Sequence, residues 1–173
     1  MFINQFFQRN KVVRHLSTLA LTGAALLITT TSASANSGCF QVKGHYEEHI
    51  ETQNCNSPIN FCIAGVYGGV VQGDFFGAAS AINPTGDTGT TGVLTFTSDS
   101  VIHANVHGKQ GDLNIKNAGA FQSTGEGNIV DVQFITGGTG ELSGASGVMR
   151  ASGLFDSATG VGASDYEGMI CLP

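Results

Sequence analysis

The sequence is poor in basic residues and has no tryptophan. Its 173 residues include 7 Lys and Arg against 13 Asp and Glu. All thirteen acidic residues follow residue 35, but only four of the basic ones do, so this part has a formal net charge of −9; the four are Lys43, Lys109, Lys116 and Arg150. An acidic surface repels phosphate backbones and anionic lipid. We therefore expect no nucleic acid or membrane-surface partner.

Long apolar runs are also missing. The apolar stretch at residues 19–28 is about half as long as the roughly 20 residues of a membrane-spanning helix. It follows Arg9, Lys11 and Arg14 and leads to Ala33 and Ala35, which have the spacing of a signal-peptidase site. Residues 1–35 are therefore predicted to be a signal peptide, and the protein to be secreted or periplasmic, without membrane insertion after cleavage. Residues 36–173 have the length of a single domain.

Several catalytic and cofactor motifs are absent. The sequence has no Gly-x-Ser-x-Gly elbow and no His-Glu-x-x-His pair, and its glycine-rich segment 135–155 lacks the spacing of a dinucleotide-binding loop. Four cysteines, an even number, all follow residue 35 without a Cys-x-x-Cys pair; they are Cys39, Cys55, Cys62 and Cys171. In an exported chain this pattern favours disulfides over a metal site. We predict no metal and no cofactor.

No stretch shows the apolar spacing of a helix, whereas short alternating segments are frequent. Leu94 and Phe96 alternate with threonines, and Val132 and Phe134 alternate with Asp131 and Gln133. Such segments, divided by clusters of Gly, Asn, Asp and Ser, predict an all-β sandwich or barrel. The candidate strands are 40–51, 61–67, 70–82, 92–98, 100–107, 111–117, 129–136, 147–156 and 164–171.

Titratable residues cluster in one candidate strand, where His45, Glu47, His49 and Glu51 share a face. Neighbouring members of this row lie about 6.6 Å apart and the two histidines about 13 Å apart. With no third ligand in view, we interpret the row as a solvated polar face.

His103 and His107 also point the same way but lie too far apart to chelate a metal, and we expect a surface location or a satisfied hydrogen bond for them. Asp74, Asp131 and Asp165 also fall within candidate strands. We expect most of them to face water; one that is buried without a cationic partner would have a raised pKa and would be a candidate for proton transfer.

A resemblance extends over most of residues 39–172. It rests on "ITGGTGELSGASG", "VMRASGLFD" and "SDYEGMICLP" near the end of the chain, and on "GDLNIKNAGAF" and "NCNSPINFCIAGVYGGVVQGDFFGAAS" before them. These segments resemble secreted bacterial proteins of an uncharacterised group related to the allene oxide cyclase and dirigent barrels. The resemblance implies an antiparallel barrel of about eight strands. It also implies that a small apolar molecule is bound or rearranged inside the barrel, and it assigns no catalytic residue.

In a closed barrel with an even number of strands, the start of the first strand lies beside the end of the last. This predicts a disulfide between Cys39 and Cys171 and leaves Cys55 and Cys62 to pair with each other. Three hypotheses for the function remain open: binding of a small apolar molecule, a cyclase or isomerase acting on an apolar substrate, and a structural or surface-interaction protein with a filled core. Alternation predicts that Phe96, Phe134 and Phe155 point inward as candidate ligand-binding residues.

Overall fold

A computed structural model describes residues 38–86, 92–124 and 127–173 of the protein. The predicted signal peptide, residues 1–35, and its cleavage site lie outside the described residues. Within these ranges, no helix is both long and apolar enough to cross a membrane.

The described chain forms a closed barrel of eight antiparallel strands, each paired with its neighbours in sequence, with the last strand returning to the first. The all-β, disulfide-linked barrel predicted from the sequence is thus confirmed. The strands are β1 (Gly38–Glu51), β2 (Cys62–Gly69), β3 (Val71–Pro84), β4 (Val93–Val106), β5 (Lys109–Gln122), β6 (Asn128–Gly138), β7 (Ser146–Asp156) and β8 (Val161–Leu172).

One predicted strand boundary is wrong. The candidate strands 92–98 and 100–107 are a single strand, β4, which continues through Asp99. Ser98 and Ser100 point inward and are buried. Asn117 on β5 donates hydrogen bonds to both hydroxyls, at 2.9 and 2.6 Å. These hydrogen bonds provide partners for the two buried hydroxyls. Ser98, Asp99 and Ser100, a sequence typical of a turn, can therefore lie within a strand.

The barrel is filled at one end. Its interior there is packed with aliphatic side chains that are almost inaccessible to solvent: Val42, Val71, Ile102, Val106, Leu113, Met149 and Ile170. Leu142, on the short 3-10 helix Gly140–Leu142, is also fully buried and closes this end. Close packing of this kind leaves no room for a ligand. A pocket is therefore expected only in the other half.

Two disulfides fasten the fold. Cys39 on β1 and Cys171 on β8 lie opposite each other in the register of the seam and are bonded, and Cys55 is bonded to Cys62 at the start of β2. These are the two pairs expected from the strand order. Disulfides of this kind are typical of proteins that fold in an oxidising compartment.

Candidate functional site

A pocket opens into the half of the barrel opposite the aliphatic core. Its cavity volume is about 60 Å³, smaller than the engineered cavity of about 150 Å³ that encloses benzene. The lining residues nearest the mouth, including Phe61, Ile82 and Phe96, are partly exposed, whereas Gln133 at the base is 2% exposed. The pocket therefore has room for a few water molecules or for one end of a small molecule.

The walls of the pocket are largely aromatic. Tyr46, Tyr67 and Phe75 form one cluster in which ring centroids lie 4.9 to 5.8 Å apart. Phe121 contacts Phe96 and Phe155 in a second cluster, with both centroid distances at 6.2 Å. Offset and edge-on pairs at these distances stabilise one another beyond the apolar area that they bury. The wall can present ring faces to a flat or apolar group.

The base of the pocket is polar, because β1 and β6 each direct an acidic side chain inward. Glu48 and Asp131 are 5% and 7% exposed. Gln133 donates a hydrogen bond to Asp131 Oδ2 at 3.0 Å and accepts one from the Tyr67 hydroxyl at 3.1 Å. Asn117 completes the polar set through its bonds to the two serines of β4.

Burial changes the protonation of both acids. Burial, and then the negative charge of Asp131, raise the pKa of Glu48 from its usual 4.5 to about 7. Burial raises the pKa of Asp131 from 3.8 to about 6, although hydrogen bonds from Gln133 and the backbone lower it in part. Because the two carboxyls interact in one pocket, they release their protons in two steps, and between these steps one carboxyl is protonated and the other ionised. The pocket then holds a proton donor and a proton acceptor.

The two tyrosine hydroxyls of the pocket remain neutral. Burial raises the pKa of both Tyr46 and Tyr67 far above 10, and nearby negative groups raise them further. Among the described residues, no group of three or more His, Cys, Asp or Glu is arranged to hold a metal ion. The chemistry available to the pocket from these side chains is hydrogen bonding and proton transfer.

The loop before β2 brings Phe61 to the mouth of the pocket. The Ser57 hydroxyl, which is buried, donates a hydrogen bond to the Ala79 carbonyl at 2.6 Å. It also accepts hydrogen bonds from the backbone N–H groups of Ile59 and Phe61, both at 3.2 Å. One side chain thus ties the loop to β3.

We expect Ser57→Ala to lower the free energy of unfolding by about 1–2 kcal/mol, because it leaves buried backbone groups without partners. Urea denaturation followed by tyrosine fluorescence measures this loss. Ser80→Ala is the matched control, since Ser80 is exposed and bonds only to Thr97; it should change stability by less than about 0.5 kcal/mol. Equal effects of the two substitutions would show that Ser57 does not organise the loop.

The predicted inward phenylalanines divide into two groups. Phe96 and Phe155 line the pocket, and a ligand-binding role for them stays a prediction. Phe134 is on the outside of the barrel and is 45% exposed, so its predicted inward orientation is wrong. The reason is that β6 directs Asp131 and Gln133 inward, which reverses the usual rule of apolar side chains inside and polar ones outside.

The titratable residues singled out in the sequence lie in different places, one in the pocket and the others on the surface. Asp131 lies in the pocket, whereas Asp74 and Asp165 are exposed. His45, Glu47 and His49 are exposed on the outer face of β1, as expected for a solvated face. The exposed His103 bonds to Asp112 through Nδ1 at 2.6 Å, and His107 contacts Phe40 at a centroid distance of 4.6 Å.

Sequence reasoning missed Glu48. The signal was available in the alternation of β1, because a row of ionisable side chains at 45, 47 and 49 indicates the outer face. The opposite face then consists of Tyr46 and Glu48, both of which line the pocket.

No family model matches the chain, and no curated protein matches it. Among solved structures, the chain is similar to the pterocarpan synthase dirigent protein GePTS1, with 16% identity, a TM-score of 0.34 and coverage of 79% of this chain and 86% of that one. It is also similar to the pterocarpan synthase dirigent protein PsPTS1, with 14% identity, a TM-score of 0.33 and coverage of 78% and 96%. Both of these structures are dirigent proteins, a group to which the proteins that the sequence resembles are related.

Proposed function

We propose that the protein binds a small, largely apolar molecule whose polar end enters the pocket. The observation that carries this proposal is the combination of aromatic walls with a base of buried carboxyl and amide groups. Small-molecule sites are typically apolar cavities with a few placed polar groups. Because the cavity volume is about 60 Å³, the apolar part of the ligand lies towards the mouth, among Phe61, Phe96 and Phe155.

Native mass spectrometry of the protein purified from its own host, followed by extraction, tests this proposal. We expect a co-purifying small molecule in the wild-type protein. Ala79→Leu should remove it, because Ala79 lines the pocket and a larger side chain takes up the free volume. Ala163→Leu is the control, since Ala163 is exposed on β8. A wild-type protein without any bound molecule contradicts the proposal.

A second candidate function is an acid–base catalyst, a cyclase or isomerase acting on an apolar substrate. Its support is the pair of buried acids in one pocket, both with a raised pKa, because a neutral carboxyl can donate a proton while an ionised one accepts it. Incubation of the extracted molecule with the wild-type protein and with Glu48→Gln tests the idea by product analysis. Conversion by the wild-type protein alone supports catalysis. Absence of conversion by both proteins leaves binding as the function.

We further propose that the protein is exported and cleaved after Ala35. The two disulfides and the charge and hydropathy of residues 1–35 support this proposal. Intact-mass measurement of the protein from its host should give a chain beginning at Asn36. A mass that still includes the first 35 residues contradicts cleavage.

A further inference from the structure

Three buried oxygen atoms on the pocket-lining residues have no hydrogen-bond partner. They are Glu48 Oε1, Asn117 Oδ1 and Asp131 Oδ1. The amide donors of the same polar set are used: Asn117 Nδ2 binds the two serine hydroxyls, and Gln133 Nε2 binds Asp131. Buried polar atoms are normally paired. Three buried acceptors are therefore left without a partner from the chain, and a bound molecule with N–H donors can supply one.

The chain does not supply a cation to these acids. None of the eight basic side chains of the described residues lines the pocket; they are Lys43, His45, His49, His103, His107, Lys109, Lys116 and Arg150. An ionised carboxylate that is buried without a partner is costly. A proton or a positively charged ligand must therefore neutralise each acid.

We infer that the ligand is a small organic ammonium ion whose head group enters the pocket and bonds to the free oxygens of Glu48, Asp131 and Asn117. This inference rests on the proposed function and specifies the class of molecule that is bound. A primary ammonium has three N–H donors, which equals the number of free acceptors. The aromatic clusters contribute as well, because the faces of Tyr and Phe rings attract cations.

The size of the pocket fits the head group of such a ligand. A cavity of about 60 Å³ exceeds the roughly 10–15 Å³ that one water molecule needs and is below the 150 Å³ that encloses benzene. It therefore admits an ammonium group with an adjoining methylene. The rest of the molecule then contacts the partly exposed phenyl rings at the mouth, Phe61 and Phe96.

Binding of a cation is coupled to the protonation of the acids. The titratable groups that face Glu48 are Asp131 on β6, Tyr46 on β1 and Tyr67 on β2, and the two tyrosines stay neutral. One ammonium ion neutralises one carboxylate and the other acid can keep its proton, so binding requires at least one ionised acid, and the affinity falls as the pH falls through the pKa values of about 7 and about 6. Binding below these values displaces protons from the pocket.

Isothermal titration calorimetry of the protein purified from its host and freed of bound molecules tests the inference with three probes: benzylammonium, benzyl alcohol and benzoate. At pH 8 we expect benzylammonium to bind about tenfold or more tightly than benzyl alcohol, since charge-assisted hydrogen bonds are stronger than neutral ones. Its affinity should fall at least about tenfold at pH 5. Benzoate should not bind.

Substitution of the two buried acids tests whether they are the groups that bind the ammonium ion. Glu48→Gln and Asp131→Asn should each weaken benzylammonium about tenfold more than they weaken benzyl alcohol. Asp165→Asn removes the same charge from the exposed face of β8 and should have no effect on either probe.

Equal affinities for benzylammonium and benzyl alcohol overturn the ammonium inference and leave the proposed binding function standing. Recovery from the host of a ligand without a basic nitrogen has the same consequence, as does competition by calcium chloride at the concentration of benzylammonium. Failure of all three probes, together with a wild-type protein that carries no molecule in native mass spectrometry, overturns the binding function itself.

Discussion

Replacing Cys39 and Cys171 by serine should lower the free energy of unfolding by about 5 kcal/mol. The disulfide closes a loop of more than 100 residues, and the chain-entropy model assigns about 4.7 kcal/mol to a loop of 100. The two cysteines are separated by 132 residues. The bond joins the first and last strands of the barrel, which no loop of the chain connects directly. The double substitution avoids leaving a free thiol. Urea denaturation of the variant and of the wild-type protein measures the loss.

The second disulfide provides the control. Cys55 and Cys62 are separated by only 7 residues, so Cys55→Ser with Cys62→Ser should cost less than about 3 kcal/mol in the same model. The variant without the seam disulfide should still fold, because β1 and β8 remain paired from Gly38↔Leu172 to His49↔Val161. A larger loss for the short-loop variant would contradict the loop-length argument.

The barrel was predictable from local patterns because turns and alternation are local properties. Asn83 and Pro84 mark the end of β3. His107 and Gly108 form the two-residue hairpin loop between β4 and β5. His107 has a φ of 52° and Gly108 a φ of 82°, as a hairpin with positive φ at both central residues requires. Long-range information entered only through the closure of the barrel, which determines which cysteines meet.

The candidate site was predictable only in part. Asp131 could be recognised as a strand acid without enough basic residues to pair with it. Its neighbour Phe134 was assigned to the wrong face, because the apolar-in rule fails where polar groups such as Asp131 and Gln133 satisfy each other inside. The pocket itself depends on the summed volume of side chains from β1 to β7, and no single segment contains that information.

The acids of the pocket make the stability of the protein depend on pH in an unusual direction. Both have a raised pKa in the folded state, Glu48 from 4.5 to about 7 and Asp131 from 3.8 to about 6. The folded protein therefore binds more protons than the unfolded chain between these values, and the free energy of unfolding falls as the pH rises through them. Glu48 does not change the free energy of unfolding below pH 4.5, where it is protonated in both states. Its destabilising effect is fully present above its folded pKa.

We expect the ligand-free protein to be more stable at pH 5 than at pH 8, by about 2–3 kcal/mol from Glu48 alone at 1.36 kcal/mol per pKa unit. Urea denaturation at the two pH values measures the difference. Glu48→Gln should reduce it, because a neutral amide carries no charge to bury, and should be more stable than the wild-type protein at pH 8. Asp165→Asn, on the exposed face of β8, should leave the difference unchanged. Asp112 and Asp156, whose pKa values are lowered from 3.8 by hydrogen bonds, act below this window. Equal stability of the wild-type protein at pH 5 and pH 8 would mean that the two carboxyls are solvated in the folded protein, and the unpaired buried acceptors on which the ammonium inference depends would then be absent.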